Sequence, residues 1–157
     1  MDKIRILIAD ADAHMRANTR QILEHEEDMA VIAEAANGQD AVAQARKYRP
    51  DIVVMDLIAP VAEGIKAVRR IKTCCPTTSV LILTSHDDKS YVMTAVEAGA
   101  DGYILKNNHA DILLETIREA YSGNFSPNRW LTMEMLERRG LIHVCDDIPG
   151  VPAISRW

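Results

Sequence analysis

Several features that mark particular classes of protein are missing from this sequence. Its cysteines, Cys74, Cys75 and Cys145, are odd in number and two are adjacent, and no Cys/His spacing resembles a zinc site. No apolar stretch is long enough for a signal peptide or a membrane helix. We therefore expect reduced thiols, no membrane segment and a cytoplasmic location.

Positive charge is also scarce. The chain has 18 Lys and Arg against 23 Asp and Glu, and its formal net charge of -5 argues against a protein that lives by binding nucleic acid or anionic membrane. Neither G-x-G-x-x-G nor G-x-x-x-x-G-K-[ST] occurs, which disfavours the nucleotide-binding folds built on those loops. A length of 157 residues with 48% hydrophobic residues predicts one domain of ordinary size plus a tail.

What the sequence does contain is an alternation of short apolar runs with amphipathic stretches. The short runs are typical of buried strands, and apolar residues at helical spacing follow each of them. Such an alternation predicts a parallel sheet with helices on both faces. The expected fold is α/β, a flavodoxin-like three-layer sandwich with five helices and a five-stranded parallel sheet of order 2-1-3-4-5. The predicted strands are 4–9, 29–33, 52–55, 79–84 and 103–105.

Four polar residues stand at the carboxyl ends of these strands: Asp10, Asp56, Thr84 and Lys106. In this topology strands one and three adjoin at the switch point, so Asp10 and Asp56 are expected side by side. A carboxylate can attack a phosphoryl group, a second acid can hold Mg2+, and a lysine and a hydroxyl can bind phosphoryl oxygens. Each residue alone has a bland interpretation, as a turn-capping acid, a solvated lysine or a strand-end hydroxyl. Their coincidence at four strand ends indicates phosphoryl transfer.

These motifs resemble the receiver domain of bacterial two-component response regulators, of the NarL/LuxR type. The resemblance covers residues 2–123 and implies a receiver domain over 1–123. It implies a signalling module that takes a phosphoryl group from a sensor histidine kinase. Such a module would not be an enzyme, except that it would catalyse its own phosphorylation and dephosphorylation. The matching stretches are Ile8-Ala-Asp10, Pro50 to Asp56 with Pro60 and Gly64, Leu83-Thr84-Ser85, and Ala98 to Lys106.

The resemblance also implies a role for each matching site residue. Asp56 would be the phospho-acceptor. Asp10, Asp56 and the backbone carbonyl of Ile58 would hold Mg2+, and Lys106 would pair with the phosphoryl oxygens. Thr84 would move toward those oxygens on phosphorylation.

A two-state switch is a further implication of the resemblance. Movement of Thr84 would be coupled to Tyr103, an aromatic residue on the face of the fourth helix and fifth strand. Receivers often pair through the face of the fourth helix, fifth strand and fifth helix. A homodimer through this face is therefore an expectation.

The chain departs from the family at Ala11, where a second acid usually follows the first. An acid reappears at Asp12. Either Asp12 reaches the metal, directly or through water, or Mg2+ binding is weak and the domain is an atypical, phosphorylation-independent interaction module. Asp10-Ala-Asp12 also resembles the start of haloacid-dehalogenase-type phosphatases, a less favoured alternative because that family generally needs a larger chain with a cap.

Residues 124–157 are expected to form a C-terminal extension, partly helical at about 127–139. Its start resembles the linker that precedes a helix-turn-helix domain in NarL/LuxR regulators. Residues 141–157 are too few for such a domain and lack a basic recognition helix. Four alternatives are open for the extension. It packs on the domain, it binds a partner chain, it is disordered, or it is part of a longer regulator of which this chain is a fragment. DNA binding would require an output domain in that longer protein.

Overall fold

The computed structural model describes residues 3–56, 61–84, 94–95, 97–105 and 110–122. Strands and helices alternate along this part of the chain. The predicted fourth helix, which begins near Ser85, lies mainly outside the described residues, as does the C-terminal extension. The helix numbered α4 below is therefore the predicted fifth helix. The elements are β1 (Ile4–Ala9), α1 (Ala13–Glu24), β2 (Met29–Ala35), α2 (Gly38–Tyr48), β3 (Ile52–Met55), α3 (Val61–Cys74), β4 (Ser79–Thr84), β5 (Gly102–Leu105) and α4 (Ala110–Ser122).

The strands form one sheet of five parallel strands in the order β2-β1-β3-β4-β5. The predicted topology is therefore confirmed. Ala9 of β1 lies opposite Met55 of β3, and Met55 lies opposite Ile82 of β4. The carboxyl ends of β1 and β3 consequently reach the same level of the sheet, and β4 continues two residues farther, to Thr84.

Each face of the sheet carries its own apolar cluster, because alternate residues of a strand point to opposite faces. One cluster joins the sheet to α2 and α3, and the other joins it to α1 and α4. Because both faces are covered, the strands are largely apolar, with Arg5 in β1 and Glu34 in β2 as charged exceptions. The first cluster includes Leu7, Val53, Ile82, Ala45 and Ile71; the second includes Ile8, Val54, Leu83, Leu23 and Ile117.

Polar residues mark where α2 begins and ends. Asn37 caps α2, since its side chain accepts a hydrogen bond from the N–H of Asp40 at 2.7 Å. The helix ends at Arg49, which adopts a left-handed conformation with φ of 50°, and Pro50 follows. The left-handed turn at Arg49 ends α2 shortly before β3 begins at Ile52.

The cysteines that the structure describes are free thiols, as expected. Cys75 is buried and Cys74 is half-buried, while Cys145 lies outside the described residues. Burial raises the pKa of the Cys75 thiol. Within the described part of the chain, no helix combines the length and apolar character needed to cross a membrane.

Candidate functional site

The register of β1 and β3 brings the two predicted acids to neighbouring strand ends. Asp10 follows Ala9 and Asp56 follows Met55, and these two strand residues are paired. The N–H of Asp56 donates a hydrogen bond to the carbonyl of Ala9 at 2.9 Å. The pairing of the acids at the switch point, expected from the sequence, is thus present in the fold.

Asp10 sits in a tightly bonded turn between β1 and α1. Its side chain is buried, with 5% of the residue exposed. Its N–H donates to the carbonyl of Ala35 at 3.0 Å, and its Oδ1 accepts from the N–H of Asp12 at 2.9 Å. Its own carbonyl accepts from Nη1 of Arg16 at 2.6 Å. Partners on β2, on α1 and in the turn itself therefore fix both the backbone and the carboxylate of this acid.

Asp12 serves as the N-cap of α1. Its Oδ1 accepts hydrogen bonds from the N–H of His14 at 2.8 Å and of Met15 at 3.3 Å. The residue is exposed and its backbone is extended, as an N-cap requires. An aspartate directly before a helical stripe is a sequence signal of an N-cap, although Asp12 was predicted above only as a possible metal ligand.

Asp56 is half-buried and lines a narrow crevice between β1, β3, β4 and α1. The Oδ1 atom of this carboxylate is shielded from solvent. Apart from the two acids and the buried hydroxyl of Thr19, the lining is apolar, and charges interact more strongly where water is excluded. The cleft is lined by Ile8, Ala9, Asp10, Thr19, Val54, Asp56 and Leu83.

The other predicted site residues are described less completely. Thr84 is the last residue of β4, and its backbone pairs with Leu105 of β5. Ile58 and Lys106 lie outside the described residues. Tyr103 lies on β5 with 9% of its surface exposed, and its side chain belongs to the cluster between the sheet and α2 and α3.

The acids of the site lie beside a network of charged side chains that the sequence patterns did not reveal. Arg16 contacts Glu34 through Nε at 3.2 Å, and Glu34 also contacts Arg20. Arg20 contacts Glu24 at 2.8 Å. The carboxylates of Glu24 and Glu34 raise the pKa of the Arg20 guanidinium. The network connects α1 to β2 next to Asp10.

No group of three or more His, Cys, Asp or Glu suited to a metal ion occurs among the described residues. The acids that are described nevertheless fit the expected ion. Mg2+ prefers oxygen ligands and commonly takes only one or two carboxylates from a protein. Asp10 and Asp56 provide such a pair at adjoining strand ends.

Residues 6–118 match the family described as the response regulator receiver domain. The chain belongs to this family. Among its curated relatives, the uncharacterized transcriptional regulatory protein YxjL of Bacillus subtilis is 38% identical over 122 residues, which are 78% of this chain and 56% of that protein. The oxygen regulatory protein NreC of Staphylococcus epidermidis is 37% identical over 134 residues, 85% of this chain and 62% of the relative. The chain thus spans less than two thirds of the length of these relatives.

Solved structures show the same architecture. A LuxR-family two-component response regulator from Aurantimonas sp. SI85-9A1 superposes with a TM-score of 0.77 at 34% identity, covering 88% of this chain and 99% of that one. The signal receiver domain of a response regulator NarL from Mycobacterium tuberculosis gives a TM-score of 0.73 at 23% identity, which supports the fold alone. The predicted membership of the NarL/LuxR-type receivers is confirmed.

Proposed function

We propose that this receiver accepts a phosphoryl group from a sensor histidine kinase on Asp56. The observation that carries the proposal is the adjacency of Asp10 and Asp56 at paired strand ends, with the N–H of Asp56 bonded to the carbonyl of Ala9 at 2.9 Å. Asp56 is half-buried, whereas Asp10 is buried and held by its neighbours. Asp56 is thus the more exposed of the two acids, which suits a nucleophile, and Asp10 serves as the fixed second acid.

In the proposed reaction a carboxylate oxygen of Asp56 forms a bond to phosphorus. The bond between phosphorus and the kinase histidine breaks, and its electron pair leaves on the histidine nitrogen. Asp10, Asp56 and the carbonyl of Ile58 would hold Mg2+, which supplies positive charge to the phosphoryl oxygens when bound. Lys106 and Thr84 would complete the binding of those oxygens. Their roles rest on family membership, since the side chains of both residues lie outside the described part of the chain.

The proposed output is a switch that runs from Thr84 to Tyr103. Thr84 ends β4, and Tyr103 sits on the neighbouring strand with its ring largely buried. A ring that occupies a packed position in one state and leaves it in another gives a two-state element that a local charge change can bias. We propose that this switch alters the surface beside β5, and that a homodimer uses it.

A second candidate function is a phosphorylation-independent interaction module. Ala11 supplies no carboxylate, and the Oδ1 atom of Asp12 is engaged by two backbone N–H groups of α1. Both observations weaken the acidic set that would hold the cation. The two functions differ in one measurable property, the response to a phosphodonor in the presence of Mg2+.

The deciding experiment is intact-mass detection of phosphorylation by a small-molecule phosphodonor, with and without Mg2+. The wild type should gain one phosphoryl group in a Mg2+-dependent manner, and Asp56→Asn should gain none. Asp51→Asn is the matched control, because Asp51 precedes the opposite end of the same strand and should leave acceptance intact. A folded wild type that gains nothing at high Mg2+ would favour the second candidate.

Asp12→Asn separates the two roles of Asp12. Asparagine caps helices about as well as aspartate, so α1 should be retained while one negative charge is lost. If Asp12 contributes to cation binding, the variant should need more Mg2+ for half-maximal phosphorylation. An unchanged Mg2+ dependence would assign Asp12 to helix capping alone.

We also propose that residues 1–123 form the receiver domain and that 124–157 form a separate extension. Limited proteolysis should then cleave within the extension first and leave a phosphorylatable core. Some of the curated relatives, YxjL among them, are described as transcriptional regulatory proteins. DNA contact is proposed only through an output domain in a longer protein.

A further inference from the structure

We propose that Arg16 is a positioning residue that fixes the Asp10 turn for cation binding at the site. The proposal rests on the proposed function, because Asp10 matters there as the second acid. Arg16 lies on α1, six residues after Asp10, and its Nη1 donates to the Asp10 carbonyl at 2.6 Å. No sequence motif singled out this residue.

Arg16 supplies a side-chain hydrogen bond to the backbone of Asp10. The N–H of Asp10 is bonded to Ala35 and its carboxylate to the N–H of Asp12, and the guanidinium of Arg16 adds a contact at the carbonyl. A hydrogen bond from a guanidinium is charge-assisted and stronger than one between neutral groups. Loss of this contact should therefore loosen the peptide that carries the acid.

The guanidinium of Arg16 is itself held in place. Its Nε donates to Oε1 of Glu34 at 3.2 Å, while Oε2 of the same carboxylate pairs with Arg20. The carbonyl of Glu34 in turn accepts from Nε2 of Gln44 at 3.1 Å. The side chain of Arg16 is only 20% exposed, against 40% for Arg20. Arg16 thus connects Asp10 to β2 through its contact with Glu34.

The geometry requires an arginine. A planar guanidinium presents donors in different directions and can bind the Asp10 carbonyl and the Glu34 carboxylate together, whereas a lysine ammonium acts as a single point charge on a flexible stem. The contact is also made next to Ala11, which brings no second carboxylate. Because Ala11 follows Asp10, no neighbouring carboxylate can replace that of Asp10 as a ligand if it is displaced.

The test compares Arg16→Ala with Arg20→Ala. Both variants lose an ion pair to Glu34, and Arg20→Ala also loses its pair with Glu24, but only Arg16→Ala loses the contact with Asp10. Amide exchange followed by NMR should show the Asp12 N–H exchanging about tenfold faster in Arg16→Ala, as expected for the loss of one charge-assisted bond. Arg20→Ala should leave this amide near the wild-type rate, and Arg16→Lys should lie between.

A Mg2+ titration followed by amide shifts gives the second measurement. Half-saturation should need about tenfold more Mg2+ in Arg16→Ala than in the wild type or Arg20→Ala. Equal exchange of the Asp12 amide in the two alanine variants would overturn the proposal. A wild type that cannot be phosphorylated would refute the proposed function instead, while the exchange comparison would still decide whether Arg16 fixes the turn.

Discussion

Gly38, the first residue of α2, lies in close contact with α3. A Cβ placed on this residue would lie 2.9 Å from the carbonyl oxygen of Glu63 and 3.1 Å from Cβ of Ala67. The first distance is shorter than an ordinary contact, and the atom concerned belongs to the backbone of α3. We therefore predict that Gly38→Ala forces the two helices apart.

Two effects of opposite sign decide the size of this change. Replacing glycine by alanine in a helix is favourable by about 0.5 to 1 kcal/mol, because alanine loses less conformational freedom on folding. Overpacking of a close contact costs about 1 to 3 kcal/mol. Since Gly38 is only the first residue of α2, the favourable effect should be at the low end. The net result should be a loss of about 1 to 2 kcal/mol in the free energy of unfolding.

Urea unfolding followed by circular dichroism measures this free energy. Gln39→Ala is the matched control, since Gln39 is the next residue of the helix and is exposed. Adding Ala67→Gly should not restore the loss, because it leaves the Glu63 carbonyl in place and puts a glycine inside α3. A Gly38→Ala protein as stable as the wild type would refute the close approach of these helices.

Two further predictions concern ion pairs. The Arg118 guanidinium holds the pKa of Asp28 below its ordinary value of 3.8. The ion pair therefore stabilises the fold above that pH, and this stabilisation disappears as the pH falls through the lower pKa of the folded state. Asp28→Asn should cost less than about 1 kcal/mol at pH 7, since both side chains are a third or more exposed, and urea unfolding in strong acid should show no difference from the wild type. Asp101 accepts from Lys72 at 2.9 Å and from the buried N–H of Val80 at 2.8 Å. Asp101→Ala should therefore lower the free energy of unfolding by about 1 to 3 kcal/mol in the same assay, and Asp101→Asn by less, because the amide keeps an acceptor.

The topology was predictable because its causes are local and repetitive. Runs such as 52–55 are apolar throughout because both faces of the sheet are covered, and handedness then leaves few arrangements of crossover connections. The strand ends, and with them the positions of Asp10 and Asp56, follow from that topology. Strand bounds were less certain. The second strand extends to Ala35 rather than residue 33, because pairing with β1 continues through Glu34 and Ala35.

The contacts around Asp10 were not predictable in the same way. Arg16 and Glu34 are 18 residues apart and meet only because α1 packs beside β2. A charged residue on a helix reads as a solvated surface position, and nothing in the spacing shows that its guanidinium turns back to the carbonyl of Asp10. Such a contact depends on tertiary geometry, which periodicity does not encode.

Ala11 and Asp12 show how a shift of one position changes what an acid can do. The residue directly after Asp10 is still part of the turn that leaves β1, whereas the next residue is the N-cap of α1. An N-cap side chain is drawn to the first N–H groups of its helix, which otherwise have no partner within that helix. For Oδ1 of Asp12 to bind a cation instead, those groups would have to lose an acceptor, at a cost of about 1 kcal/mol. Cation binding at this receiver should therefore depend more on how firmly Asp10 is held than on the acid at position 12, which is why the Arg16 and Asp12 variants should be compared in the same Mg2+ titration.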